Sequence, residues 1–280
     1  MHSTIWVWIS KAALEAAGGK VPETRDELVA VTDAMKANGI IPLAHGGQAW
    51  QEACMFEAVA AGVGGAAFYR RALVDLDDAT LRGPEMVAEF TELAALRGMI
   101  DANAPGRDWN LASAMVINGE AAMQIMGDGA KGEFANAGKT AGDDHACIPV
   151  PKAKGDAFVY LVNALSLFTQ SDPDLIMGQE VLASAIMDKG VQVAFNVAKG
   201  TIPARNDGDM GGLDACAQAT SAAMTANAAG GTAVPTFAGT HAANASVVGG
   251  ATDATTGFFN SDMTPAAGAT ALADAIMAAK

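Results

Sequence analysis

Apolar positions change their spacing several times along the chain, and each change marks an expected element. The opening run "STIWVWIS" is rich in β-formers, so residues 1–9 predict a strand. "VPETRDELVAVTDAMKANGI" predicts a helix: Pro22 precedes it, Thr24 and Glu27 make a capping box, and Asn38-Gly39 stop it. "IPLAHGG" returns to a short strand, and "QAWQEACMFEAVAAGVGG" predicts a second helix that ends in glycines. Further helices are expected over about 84–103, 110–119 and 130–138, with "AAMQIM" as a strand before the last. "CIPVPKAKGD" reads as a linker with two prolines, and "AFVYLVNALSLF" as a long strand or a strand pair. Asp172-Pro173 cap and start a helix to about Met187, and "KGVQVAFNVAKG" gives another. The Ala/Thr/Gly-rich tract over about 214–256 reads as helix with loose loops, and no repeat of solenoid length occurs. Strands alternating with helices predict an α/β fold.

Composition narrows this. With 280 residues, 51% of them hydrophobic and 17% charged, the chain is globular and long enough for two lobes. Its 31 acidic and 17 basic residues give a net charge of −14, which repels phosphate backbones and excludes nucleic acid as a natural partner. The apolar stretch over 58–69 is too short to span a bilayer. No basic segment followed by an apolar one opens the sequence. The chain is therefore expected to be cytoplasmic, or to have its natural beginning elsewhere. Cys54, Cys147 and Cys216 lack C-x-x-C spacing. They are three small buried residues or, in an oxidising compartment, include a Cys147–Cys216 disulfide.

Catalytic signals are weak. The glycines of "GVGGAAF" follow a helix rather than a strand, so they fit a helix end better than a dinucleotide loop. "GDGAKGE" lacks phosphate-loop spacing, and no G-x-S-x-G elbow occurs. The histidines are scattered, "DDHAC" reads as a solvated loop, and Asp77-Asp78 and Asp143-Asp144 fall in expected turns. Nothing assembles an acid, a base and a nucleophile, so no enzyme, metal or cofactor is expected. "AHGGQAWQ" is more informative, because it sets Gln48 and Trp50 where a strand ends and a helix begins. There Trp50 either stacks on the apolar face of a sugar or serves as a hydrophobic staple.

Several ordered blocks carry a resemblance: "HSTIWVWISKAALEAAGGKVPETRDEL", "IPLAHGGQAWQ", "GRDWNLASAMVINGEAAMQIMGDGAKGEF", "KGTIPAR" and "FFNSDM". Together they resemble the extracellular solute-binding proteins of sugar ABC transporters, nearest to the glucose/mannose-binding group. The resemblance implies a type II periplasmic-binding-protein-like α/β fold, in which two lobes close on one sugar, and a non-enzymatic protein that serves a membrane permease. It also implies that most of the N-terminal lobe is lacking. On that reading residues 1–152 are the first part of the C-lobe, 153–202 a returning N-lobe remnant with hinge strands, and 203–280 the second part of the C-lobe. The family is periplasmic, and its export signal would lie in the absent part.

The resemblance also assigns ligand-binding positions. Gln48 and Trp50 match the contact loop, Lys199 the hinge block, and His241 a histidine that faces the sugar in similar proteins. Where those proteins usually read M-G-D-W-A-K-G-E-F, with the tryptophan as an aromatic platform, this chain has Gly129. Asn163 stands where an aspartate is common, and Ile5 where an asparagine is common. Two readings stay open: a monosaccharide-binding subunit for a glucose-like sugar, or a truncated or degenerate fragment that no longer binds. Trp109 reads as core from the helical spacing of "DWNLASAMV". The returning segment is expected to expose an unpaired strand edge and an apolar face.

Overall fold

The computed structural model describes residues 1–151, 156–205 and 207–280. The second half of the expected linker "CIPVPKAKGD" and the expected boundary at 152/153 therefore fall on or beside residues outside the described ones. Among the described residues seven strands form two sheets: β1 (His2–Ser3), β2 (Ile5–Ser10), β3 (Ile41–Ala44), β4 (Ala121–Gly127), β5 (His145–Ile148), β6 (Phe158–Val162) and β7 (Ala233–Pro235). One sheet runs β3-β4-β2-β5 and the other β1-β6-β7. In the first, β2 pairs antiparallel with β4 and β5, and β3 pairs parallel with β4.

The same residues form twelve α-helices. They are α1 (Lys11–Ala16), α2 (Arg25–Ala37), α3 (Ala49–Tyr69), α4 (Asp78–Leu81), α5 (Pro84–Arg97) and α6 (Trp109–Ile117). Then follow α7 (Gly129–Asn136), α8 (Pro173–Met187), α9 (Lys189–Lys199), α10 (Ala215–Ala229), α11 (Ala245–Phe259) and α12 (Pro265–Ala279). The expected capping box closes α2, with Thr24 Oγ1 accepting from the Glu27 amide and the Glu27 carboxylate from the Thr24 amide. Asp172 caps α8 with Pro173 in its first turn, as the sequence predicts. In α3 the glycines bend the helix instead of ending it. Gly65 adopts φ 67° and ψ −171°, and helix resumes to Tyr69.

The strand β2 has both faces buried, which explains its unbroken apolar run. Val7 and Ile9 enter the main core with α2, α3, α5, α11 and α12, whereas Trp6 and Trp8 enter a second cluster with Phe134, Phe158 and Cys216. The Trp8 indole donates to Met126 O at 2.9 Å, so its one polar atom is satisfied inside. Cys147 of β5 and Cys216 of α10 are joined as a disulfide, their Cα atoms 5.9 Å apart and 69 residues apart in sequence.

Three expectations are corrected. "AFVYLVNALSLF" is strand only over Phe158–Val162, because β7 partners 158–160, β1 partners 161–162, and the chain ahead of β1 reaches only as far as Asn163, whose amide donates to Met1 O at 3.0 Å. With β1 on one side and β7 on the other, β6 is central, so the expected unpaired edge does not form there. The helix expected to 103 stops at Arg97, and the following loop is held by the Arg107–Asp101 ion pair. Apolar exposure in the returning segment does occur: α8 buries no side chain, and Phe168 is 74% exposed.

Two outcomes follow. Reduction, or Cys216→Ala, should lower unfolding stability by about 2–4 kcal/mol for a loop this long, read as a shift in the denaturant midpoint. The exposed Phe168, Met177 and Leu182 should make the chain self-associate at high concentration. Sedimentation velocity should show monomer recovered in a Phe168→Lys/Leu182→Lys variant.

Candidate functional site

The first ten residues belong to both sheets, and the chain changes sheet at Thr4. Its hydroxyl donates to Val159 O of β6 at 2.8 Å, and its carbonyl accepts the Asp128 amide at 3.2 Å. Thr4 is buried, so each of these bonds replaces one that water would otherwise supply. Beside this crossing lie two hollows that share Ser3, Met126, Gly127 and Leu161.

The first hollow, about 280 Å³, is walled by Trp50, Cys54 and Glu57 of α3 and by Thr236, Ala238 and Gly239 after β7. Trp50 is 43% exposed, and its indole donates to Gln48 Oε1 at 2.9 Å. The same oxygen accepts from Gln51 at 2.9 Å, and Gln48 Nε2 donates to Asp108 at 2.6 Å. Gln48 is thus spent on holding Trp50. The loop after β7 is fixed by the fully buried Glu57, whose carboxylate accepts from Thr236 Oγ1 at 2.7 Å and from the Ala238 amide at 2.8 Å. Burial pushes the Glu57 carboxyl above the usual carboxylate range, and these donors pull it partly back.

The second hollow, about 420 Å³, is lined by Trp109, Asp128, Gly129, Asn163 and Lys199, among others. Gly200 ends α9 in the left-handed region at φ 89°, and a Cβ there would lie 2.5 Å from Asp128 O, so only glycine lets α9 approach α7 this closely. That approach sets Lys199 over the start of α7. Asp128 is almost fully buried and bonded to the Ser3 hydroxyl, while its Oδ2 has no partner. Burial pushes its carboxyl up to about 7, against the opposing pull of Ser3, Lys131 and Lys199.

Two hollows beside a strand that crosses between sheets suit the enclosure of a small polar molecule. Comparison with known proteins decides the family. Residues 1–178 match the bacterial extracellular solute-binding protein family. A probable sugar-binding periplasmic protein of Rhizobium meliloti (strain 1021) is 42% identical over 280 residues, covering all of this chain and 67% of the relative. The chain belongs to the bacterial extracellular solute-binding proteins. It spans about two thirds of the length of that relative. An uncharacterized ABC transporter extracellular-binding protein of Pyrococcus horikoshii is 28% identical over 216 residues, covering 74% of this chain and 46% of its own length. Among solved structures, a chitin oligosaccharide binding protein matches with a TM-score of 0.82 at 16% identity, covering 99% of this chain and 70% of that one. The fold is therefore the type II periplasmic-binding fold of these non-enzymatic proteins.

Within this solute-binding protein the sequence-assigned residues fall into three places. Trp50 walls the first hollow, and Gly129, Asn163 and Lys199 line the second. Gln48 and His241 line neither. Gln48 is half-buried and bonded to the Trp50 indole, and His241 is exposed, its amide donating to Thr236 O at 3.0 Å. Trp109, expected in the core, is only half-buried and presents to the second hollow while packing on the cluster around Trp6. The missed signal was its place at the first position of α6, where one side of a helix faces the open end of a sheet. Glu57 and Asp128 were also missed, since nothing local marks a buried acid. His145, in the run considered for metal, is buried against Phe134 with ring centroids 4.4 Å apart. Among the described residues no cluster of His, Cys, Asp or Glu is placed to hold a metal ion, and no helix is long and apolar enough to cross a membrane.

The raised Asp128 carboxyl fixes the sign of a pH effect. The folded state holds that proton more tightly than the unfolded chain does. Its contribution to stability is complete below the ordinary aspartate range and is lost as pH rises through about 7. The fall in melting temperature between pH 6 and pH 8 should therefore be smaller in Asp128→Asn than in the native protein.

Proposed function

We propose that this solute-binding protein captures a sugar between its two sheets and delivers it to the membrane permease of an ABC importer. The observation that carries this reading is an exposed tryptophan, Trp50, held rigid by Gln48 at the mouth of a hollow small enough for a hexose. An indole face stacks on the apolar face of a glucose-like ring, and fixed polar groups then bond its hydroxyls. Lys199 and Asn163 supply a cation and an amide from the neighbouring hollow, and Trp109 supplies a second aromatic face. His241 follows the loop that Glu57 anchors and lies outside both hollows, so it has no part in this reading.

Binding would favour the arrangement in which both sheets contact the sugar, and the permease would read that arrangement. The sugar-binding and ABC-transporter descriptions of the two relatives support this role. The periplasmic description of the first and the extracellular one of the second fit the Cys147–Cys216 disulfide, which persists in an oxidising compartment.

Calorimetric titration with glucose and mannose tests the reading. Saturable binding is expected, weakened about tenfold to a hundredfold in Trp50→Ala by loss of one stacked aromatic face. Absence of binding by every sugar tried would favour a degenerate protein.

A further inference from the structure

The disulfide is tied to the second hollow through one buried ion pair. Cys147 lies on β5, the edge strand of its sheet, and Cys216 lies in the first turn of α10. The buried residues of α10 are Cys216, Ala217 and Thr220, so little apolar packing holds the start of this helix apart from the disulfide itself. Asp214, the residue before α10, caps it by accepting the Ala217 amide at 2.8 Å. The same carboxylate meets Lys131 Nζ of α7 at 3.0 Å, and the Lys131 side chain is only 3% exposed.

A buried ammonium stripped of its counter-ion is strongly destabilising, so displacement of Asp214 forces α7 to move until Lys131 reaches water or another acid. Asp128 also acts on Lys131, lines the second hollow and has an unpartnered Oδ2. Gly129, Gly132, Glu133 and Asn136 of α7 line the same hollow. A Cβ added to Gly132 would lie 3.4 Å from Lys199 O, so α7 also bears on the end of α9. A shift of α7 therefore alters the hollow on both the α7 and the α9 side.

We propose that the Cys147–Cys216 disulfide is a redox switch on the second hollow: reduction frees the start of α10, Asp214 leaves Lys131, and α7 loosens. The reductant is a dithiol, which supplies two electrons and two protons. Its thiolate attacks Sγ of Cys147, the half-buried member of the pair, and the fully buried Cys216 departs as a thiolate that takes a proton. The second thiol of the reductant then displaces Cys147, which also ends as a thiol, and the reductant closes its own disulfide. The functional consequence rests on the sugar-binding reading above: a chain in a reducing compartment binds sugar weakly, and oxidation completes the site.

Hydrogen exchange on the native protein, with and without dithiothreitol, tests the switch with no ligand present. Reduction should speed exchange of the α7 amides about tenfold or more, while α11 and α12 keep their protection. Lys131→Met, which removes the buried charge, should abolish that response. Asp214→Asn, which removes the counter-charge but keeps an oxygen for the cap, should speed α7 exchange with the disulfide intact. Unchanged α7 exchange on reduction would overturn the proposal, as would an equal increase in every element or a response that survives Lys131→Met. Calorimetry with glucose and mannose reads the consequence. The sugar that binds the oxidised protein should bind the reduced one at least about fivefold more weakly, and equal affinity would overturn the link to binding. Failure of the oxidised protein to bind either sugar would count against the sugar reading alone, since exchange still decides the switch. The native comparison stands even if Lys131→Met does not fold.

Discussion

The site exists because one extended stretch serves two sheets and changes allegiance at a single buried threonine. Residues on either side of Thr4 pair with different strands, β1 with β6 and β2 with β4 and β5. A break of this kind leaves backbone groups without ladder partners, and buried polar groups must find others. Thr4 answers with its hydroxyl on Val159 O and its carbonyl on the Asp128 amide. These two contacts tie the crossing to the start of α7 and to β6. They fix the walls of both hollows relative to one another.

Around that crossing the hollows are kept open by subtraction and kept rigid by burial. The glycines at 127 and 129 remove side chains from the floor. Behind the first wall, Glu57 gathers the loop after β7, and a buried carboxyl with several donors holds it more firmly than solvent-exposed bonds would. Asp128 plays the matching part in the second hollow, gripping Ser3 while one oxygen stays unpaired. Such unpaired buried acids cost stability and concentrate where a protein meets its ligand. Preorganised walls reduce the ordering that a ligand would otherwise have to drive.

The segment after β6 obeys a different balance. Phe158 and Val159 are buried in the main body, yet the chain from Asn163 through α8 exposes leucines, a phenylalanine and methionines. The helix α8 forms because Asp172 and Pro173 start it well, without tertiary burial to support it. In α9 the burial of Gln192 and Asn196, with Gly200 as the left-handed stop, brings the chain back against α7 and places Lys199.

Local chemistry alone determined most of the elements. The capping box of Thr24 and Glu27, the Asp172-Pro173 start and the β-former runs act within a few residues, so their outcome is written in sequence. The family blocks likewise singled out Trp50, Asn163, Gly129 and Lys199 before any fold was considered, and these four line the two hollows. The tertiary structure decided what depends on distant partners. "AFVYLVNALSLF" ended as strand at Val162 because its neighbour on the β1 side reached no further than Asn163, though its β-propensity continued. Trp109 is split between the core cluster and the second hollow because α6 lies at that hollow's rim, and Gln48 is withheld from the hollows because Asp108, Trp50 and Gln51 consumed its amide. Propensity and capping are properties of neighbours in the chain, whereas burial and hydrogen-bond satisfaction are properties of neighbours in space.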